Sequence, residues 1–124
     1  MKKIATVLGA LAVILGALGA HSLREVLDVD SMDSFKTATM YQLFHAIALI
    51  AIPNQQRFRW TARFWVAGIF LFSFSIYLLV FDDLIGCDLF FLGPITPIGG
   101  LCLIVGWGML WFAWPNNSRD KDNL

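Results

Sequence analysis

Residues 4–20 read IATVLGALAVILGALGA, an apolar stretch that is about long enough to cross the hydrocarbon core of a bilayer as a helix. Further apolar runs lie at Thr37 to Ile52, Ala62 to Phe81 and Leu89 to Trp114, and Arg63 is the one charged residue within the four runs. In lipid, only helices and closed barrels satisfy all backbone hydrogen bonds. The sequence therefore predicts an all-α integral membrane protein, a four-transmembrane-helix bundle with spans at 4–21, 35–52, 62–81 and 96–114.

The overall composition agrees with a membrane location. Hydrophobic residues make up 58% of the chain and the mean hydropathy is +0.69, which is more apolar surface than a water-soluble core of this size could bury. We expect one membrane domain over residues 1–115, in contact with the lipid bilayer, and a polar cytoplasmic tail over 116–124. The formal net charge of zero gives no basic excess for binding a phosphate backbone, so a nucleic-acid partner is not expected.

The distribution of charge predicts the orientation of the spans. Seven basic residues fall at the two ends of the chain and in the second loop, and two fall in the first loop: Lys2, Lys3, Arg57, Arg59, Arg63, Arg119 and Lys121 against Arg24 and Lys36. Acidic residues dominate the first and third loops, with Glu25, Asp28, Asp30, Asp33, Asp82, Asp83 and Asp88. Because basic loops stay inside, both termini are predicted to be cytoplasmic in a bacterial inner membrane.

The first apolar run has a second interpretation. Lys2 and Lys3 precede it and Ala17, Leu18 and Gly19 end it, which is also the pattern of a cleaved secretory signal. Cleavage would leave three spans and would still keep the basic second loop inside. The charge pattern does not decide between the two interpretations.

Local signals place the ends of several elements. Leu23, Val26 and Leu27 recur at helical spacing and predict a short amphipathic helix between spans 1 and 2, over residues 23–32. Ser31 or Asp33 is expected to cap the second span, and Pro53 to end it. Near the cytoplasmic boundary, four aromatic side chains are expected to anchor at headgroup level: Trp60, Trp65, Trp111 and Trp114.

Small residues in two spans form helix-packing faces. They recur at three- and four-residue spacing in span 1 and more loosely in span 4, and they allow close approach of backbones in lipid. The face either packs within the bundle or forms a homo-oligomer contact, and the first is favoured. The residues concerned are Gly9, Ala12, Gly16, Gly19, Gly99 and Gly106.

Polar residues within the spans are the candidates for a functional site, because each one needs a partner in lipid. They lie at mid-depth or in the outer half, and we expect them to form one intramembrane polar cluster. This cluster either holds the helices together, binds a small neutral or amphiphilic ligand, or carries a catalytic proton on His45, in decreasing order of preference. Its members are His21, Tyr41, Gln42, His45, Ser73, Tyr77 and Thr96.

Other chemistry finds little support. No acidic residue lies within a span, which argues against proton-coupled transport. The two histidines are expected at different depths, so no haem, other cofactor or metal is predicted, and neither is a disulfide between Cys87 and Cys102. No catalytic constellation is recognised, and the chain is expected not to be an enzyme.

Five blocks of this chain resemble one family along its whole length: GALGAH at 16–21, YQLFHA at 41–46, FSFSIY at 72–77, TPIGG at 96–100 and Gly106-Trp107. They are similar to the signature blocks of the YgdD/YwdK family of small bacterial inner-membrane proteins, a domain of unknown function with a small eukaryotic transmembrane relative. The resemblance implies four spans and no assigned activity, and it implies that the polar cluster acts as one unit. Phe74 departs from the family, which usually has Gly between the two serines.

Two functions therefore stay open. In the first, the protein is a non-enzymatic membrane protein whose outward-facing polar cluster binds a small neutral or amphiphilic ligand, in a cavity that touches Tyr41 and His45. In the second, it is a structural or assembly subunit that acts on a membrane partner, or on itself, through its small-residue helix faces.

Overall fold

A computed structural model describes residues 1–115 of the chain, so the predicted tail at 116–124 lies outside the described residues. Within this range the protein is all-helical and contains no strand. Its longer helices are α1 (Lys2–His21), α2 (Val29–Ala51), α3 (Arg59–Ile69), α4 (Ser75–Val80) and α6 (Ile95–Ala113), with the short α5 at Asp82–Ile85. A π-helical turn at Phe70–Phe74 joins α3 to α4 without a break, and three-residue 3₁₀ turns lie at Leu23–Glu25, Gln56–Phe58 and Phe90–Leu92.

The helices form two packed pairs. Helix α1 lies along α2, α6 lies along α3 and the π turn, and α2 also packs against the π turn and α4. One end of the bundle, here called the connector end, carries residues 22–28 and 86–94. The opposite end carries Met1, the loop after α2 and Trp114. At that opposite end, the Lys2 ammonium donates to the carbonyls of Ile50 and Ile52 and so occupies the negative end of the α2 dipole.

The first connector differs from the prediction. No separate amphipathic helix forms over residues 23–32, because a 3₁₀ turn of three residues is followed at Val29 by the start of α2. The cap is also not Ser31 or Asp33. Asp28 has an extended backbone and its carboxylate accepts the Ser31 backbone N–H at 2.8 Å, which starts the helix earlier. At the other end α2 stops at Ala51, two residues before Pro53, as predicted.

Within residues 1–115, three helical segments are long and apolar enough to cross a membrane by length and composition: Lys2–His21, Gln56–Val80 and Phe90–Ala113. Helix α2 has sufficient length, with 23 residues, but does not reach the same hydropathy. The difference arises because α2 carries Asp30, Asp33 and Lys36 in its first eight residues and Gln42, His45 and several hydroxyl side chains further along.

The main core runs between α1, α2, α3 and α6, and Trp65 lies at its centre with no exposed surface. The prediction that Trp65 anchors at headgroup level is therefore wrong. Its ring packs against the backbone of α6 at Gly106, where an added Cβ would lie 2.4 Å from Trp65 Cδ1. The other three anchor candidates, Trp60, Trp111 and Trp114, are exposed.

The small residues of α1 and α6 pack inside the bundle. An added Cβ on Gly9 would contact Ala46, and one on Gly16 would contact Thr39, both at ordinary distance. Gly19 leaves less room, because Phe35 Cε1 would lie 2.9 Å from its Cβ. Gly99 is the tightest position, with the Phe72 backbone nitrogen 2.3 Å from an added Cβ. These faces therefore make contacts between helices of one chain.

Candidate functional site

Gln42 is the centre of the first polar group. Its side chain is fully buried on the face of α2 that meets α1 and α4. Its Nε2 donates to the Leu8 carbonyl of α1 at 2.8 Å, and its Oε1 accepts the Tyr77 hydroxyl at 2.9 Å. One amide side chain therefore connects three helices, and both of its polar atoms are satisfied without water.

Two hydroxyl groups extend this first group. Tyr77 Oη also lies 3.4 Å from Thr39 Oγ1, whose own hydrogen goes to the Phe35 carbonyl at 2.9 Å. The Ser73 hydroxyl of the π turn donates to the Ala38 carbonyl at 2.8 Å. Ser73 thus fastens the π turn to a main-chain carbonyl of α2, and Tyr77 fastens α4 to α2 through side-chain atoms.

His45 belongs to a second group, between α2 and α6. Trp107 Nε1 donates to His45 Nε2 at 3.0 Å, and since an indole N–H can only donate, Nε2 must be the acceptor nitrogen. His45 Nδ1 lies 2.7 Å from the Tyr41 carbonyl, which can only accept, so Nδ1 carries the proton. The bonding therefore assigns a neutral imidazole in the Nδ1–H form, with both nitrogens occupied by the protein. Trp65 packs edge-on against the ring at 5.9 Å.

A third group lies at the π turn. Ser75 Oγ lies 2.6 Å from the Leu71 carbonyl, 2.9 Å from the Phe72 carbonyl and 2.7 Å from Thr96 Oγ1 of α6. A π turn shifts the register of the backbone hydrogen bonds, and a serine hydroxyl here supplies a donor to the displaced carbonyls. Thr96 thereby ties the start of α6 to this turn.

Two predicted members have exposed side chains whose polar atoms take no part in these bonds, although the Tyr41 ring stacks on the His45 ring at 6.1 Å. The His21 side chain is exposed at the end of α1 and makes no hydrogen bond with any described residue. Tyr41 is 44% exposed; its ring packs on Phe72 at 4.9 Å, but its hydroxyl has no hydrogen-bond partner among residues 1–115. The structure therefore places the seven predicted residues in three separate bonded groups plus two exposed positions, and not in one cluster.

The bonded groups are poorly suited to bind a ligand at His45. Five cavities along the bundle are lined by other residues, and none of these five contacts His45, Tyr41 or Gln42. Among the described residues, no group of three His, Cys, Asp or Glu side chains could hold a metal ion. What the arrangement does is to satisfy buried polar atoms between helices. Thr61 Oγ1 and Trp65 Nε1 are buried without a partner.

One cavity combines polar and apolar walls in the region predicted for the site. It measures about 580 Å³ and lies at the connector end, between the first turns of α2, α4 and the start of α6. It is open to the surface, and its lining combines aliphatic side chains with hydroxyls and carboxylates; the lining residues are Asp30, Ser31, Asp33, Ser34, Thr37, Ile76, Leu79, Val80 and Thr96. Of the predicted site residues, Thr96 is the one that reaches this cavity.

The electrostatics of the α2 entrance follow from its cap. The Ser31 backbone N–H, which bonds the Asp28 carboxylate, holds the pKa of that carboxyl below its ordinary value. Nearby, Lys36 and Asp33 form an exposed ion pair at 3.4 Å. Such a pair contributes little to stability because water screens it.

The bonding also involves residues that the sequence pattern had not suggested. Thr39 bonds Tyr77, Ser75 bonds Thr96 and Trp107 bonds His45. Hydroxyl residues and tryptophans are common in membrane spans, so residue type alone did not mark these three as members of the site. The spacing offers a weak signal for Thr39, which lies three residues before Gln42 on the same face. For Trp107 there is no such signal, since it bonds a residue 62 positions away.

Comparisons with known proteins give one family. The model described as a protein of unknown function (DUF423) matches residues 15–100. The chain is 38% identical to a UPF0382 membrane protein of Schizosaccharomyces pombe (87% of this chain, 95% of the relative) and 38% identical to one of Staphylococcus aureus (90% and 94%). It is 33% identical to the UPF0382 inner membrane protein YgdD of Escherichia coli, over 86% of this chain and 82% of that protein. No solved structure matches.

Proposed function

The chain belongs to the DUF423 family of membrane proteins, which confirms the resemblance seen in its sequence blocks, and from this premise we propose a concrete role. The protein is a non-enzymatic, four-span bacterial inner-membrane protein that binds a small amphiphilic molecule in the cavity between α2, α4 and α6. The observation that carries this proposal is the lining of that open cavity, which combines aliphatic side chains with hydroxyl and carboxylate groups. The site thus moves from His45 to the connector end.

Four spans require α2 to cross the bilayer despite its lower hydropathy. Its amide and imidazole side chains turn inward, since Gln42 is fully buried and His45 is 6% exposed, whereas Tyr41 is 44% exposed. Its outward face is apolar, with Met40, Phe44 and Ile47 each about half exposed. A helix of this kind is shielded from lipid by its neighbours at the polar positions, which supports a fourth span within one domain over residues 1–115. Burial of Ala5, Leu8 and Ala12 of α1 likewise supports retention of the first span.

The proposed orientation places the connector end outside and both termini in the cytoplasm. Cys87 offers a direct test, because it is a free, exposed thiol in the last connector, whereas Cys102 lies within α6. In a Cys102→Ser background, a membrane-impermeant maleimide should label Cys87 in intact cells. Labelling that occurs only after the membrane is permeabilised would reverse the orientation.

The shape and chemistry of the cavity indicate the ligand class. A volume of about 580 Å³ lies within the range of small-molecule sites. Ile76, Leu79 and Val80 can bury an apolar portion, while Thr37 and the carboxylates of the lining accept hydrogen bonds from a hydroxyl, amide or amine. No reacting group is needed for this role. The neutral His45, with both nitrogens bonded within the protein, supports a role without catalysis.

A matched pair of variants tests the cavity. Leu79→Trp would fill it, whereas Leu78→Trp places the same ring on an exposed position of α4 outside the cavity. Small molecules and lipids retained by gently extracted protein are identified by mass spectrometry. We expect a species of the stated class in wild type and in the Leu78→Trp variant, and its loss in the Leu79→Trp variant. Equal retention by all three proteins would refute this site.

A second candidate is the assembly role, for which α6 provides a specific observation. Near its end, an apolar surface depression of about 550 Å³ is lined by Trp107, Leu110, Trp111, Phe112 and Trp114. The small-residue faces pack internally, so a partner would have to use this aromatic surface instead. Crosslinking of the Trp111 position to a second copy or another protein in membranes would favour this role. Crosslinks to lipid alone would count against it.

A further inference from the structure

A separate groove lies between α1 and α2 at the connector end. It measures about 290 Å³ and is lined by Gly16, Gly19, Ala20, Arg24, Phe35, Lys36, Thr39, Met40 and Leu43. Apart from two cations and one threonine, the lining is apolar. From Lys36 to Leu43 it extends over seven residues of α2, or about 10 Å along the helix at 1.5 Å per residue. The groove therefore runs along α2 and carries its charge at one end.

The two cations are distinctive for this end of the bundle. Arg24 and Lys36 are the basic residues of the first connector and the start of α2, and the connector after α4 contains none. Both side chains line the groove, and no acidic residue does. Two carboxylates, Asp28 and Asp33, line an adjoining surface depression that shares Arg24 and Lys36 with the groove. A positive mouth thus lies over an apolar channel, within an otherwise acidic surface.

The cations are also available for a ligand. Arg24 forms no ion pair or hydrogen bond with any residue in the described range 1–115. Lys36 is half exposed and contacts Asp33 at 3.4 Å, an exchangeable surface pair. A guanidinium binds a phosphate through two parallel N–H bonds, and an ammonium adds a second charge. Phosphate is the anion that a bilayer presents at this level.

We propose that this groove binds one anionic phospholipid, with its phosphate between Arg24 and Lys36 and one acyl chain along Met40 and Leu43. Charge complementarity argues for the headgroup and the apolar lining argues for the chain. Because the volume is at the low end for a ligand site, one chain enters and the second stays in the bilayer. This site shares no lining residue with the cavity of the proposed function, so either can fail without the other.

The experiment measures retention of defined lipids by the full chain. Detergent-solubilised protein is mixed with phosphatidylglycerol or phosphatidylcholine, and bound lipid is counted by native mass spectrometry. The Arg24→Gln/Lys36→Gln variant is compared with Lys3→Gln/Arg63→Gln, which removes the same charge at the opposite end. Each interfacial cation is worth about fivefold in affinity, so the first variant should lose about 25-fold for phosphatidylglycerol and the second should match wild type. Phosphatidylcholine should bind weakly to all three proteins.

Two further measurements test the role of the cations and distinguish a phospholipid from free phosphate as the ligand. Asp33→Asn removes the competing partner of Lys36 and should strengthen phosphatidylglycerol binding, whereas a purely structural role for the ion pair predicts no gain. Inorganic phosphate in millimolar excess should not displace the lipid, because it has no acyl chain for the groove. Displacement by phosphate, equal losses in the two double variants, or equal binding of both lipids would each overturn the proposal. Unchanged unfolding of the variants confirms that they are folded.

Discussion

The tightest contact between helices predicts a large difference between two alanine substitutions in α6. At Gly99, an added Cβ would lie 2.3 Å from the Phe72 backbone nitrogen and 2.5 Å from the Leu71 carbonyl carbon. At Gly108, nothing lies within 4 Å of an added Cβ. Both positions are inside the same helix, so both substitutions gain the same helix propensity, about 1 kcal/mol. The difference between the two variants therefore isolates the cost of the contact.

The free-energy cost of a Cβ at Gly99 depends on whether the atoms that it would meet can move away. The atoms that Gly99 would meet belong to the backbone of the π turn, which cannot rotate away as a side chain can. The distance must grow from 2.3 Å to at least 3.4 Å before the contact is ordinary, so α6 and the π turn must separate. Overpacking of this kind costs about 1–3 kcal/mol. Gly99→Ala should thus be less stable than Gly108→Ala by that amount.

The assay is equilibrium unfolding in mixed micelles, followed by tryptophan emission. Trp65 and Trp107 report on the α3–α6 contact directly, since their rings lie 4.8 Å apart. Gly108→Ala is expected to equal or slightly exceed wild type. If Gly99→Ala were as stable as Gly108→Ala, the close backbone approach would be wrong, and with it the packing of α6 on the π turn.

Three further expectations concern hydrogen bonds. Tyr77→Phe should destabilise the bundle by about 0.6–2 kcal/mol because its buried hydroxyl bonds an amide, whereas Tyr41→Phe should change nothing; equal effects in micelle unfolding would refute this assignment. Trp107→Phe removes the donor to the imidazole and should cost a similar amount, whereas Trp111→Phe, at an 81% exposed position, should not. The hydrogen bond from Ser31 lowers the pKa of Asp28 in the folded protein, so the cap is lost once the pH falls below the ordinary pKa of 3.8 and through this lowered pKa. Amide exchange at the start of α2 should then accelerate in wild type. An Asp28→Asn variant should show no such acceleration.

The sequence was most informative about individual helices. Apolar length predicted α1, α3 with α4, and α6, and Pro53 predicted the end of α2, because such signals act within one or two turns. The start of α2 was misplaced because several capping residues follow one another there, and the choice of Asp28 depends on which backbone is extended. Trp65 was misplaced for a related reason: an aromatic residue near a span boundary can face lipid or core equally well.

The candidate site was predicted by residue type but not by partner. Gln42, Tyr77 and Ser73 do form buried hydrogen bonds, whereas His21 and Tyr41 remain exposed. Helical spacing places Tyr41 and His45 on one face, where their rings stack, but that face is wide enough for Tyr41 to be exposed while His45 is buried. The cavity at Thr96 lies where α2, α4 and α6 diverge, and the spacing of residues along one helix does not predict how helices diverge from one another.

The sequence alone determined that this protein is helical and resides in a membrane, since both depend on apolar length and on runs that hold a single charged residue, Arg63, near one end. Tertiary structure decided which polar atoms bond, which glycines meet a backbone and where the cavities lie. The physical reason is distance along the chain. Gln42 bonds a carbonyl 34 residues away and His45 bonds an indole 62 residues away, so these contacts exist only after the helices have packed.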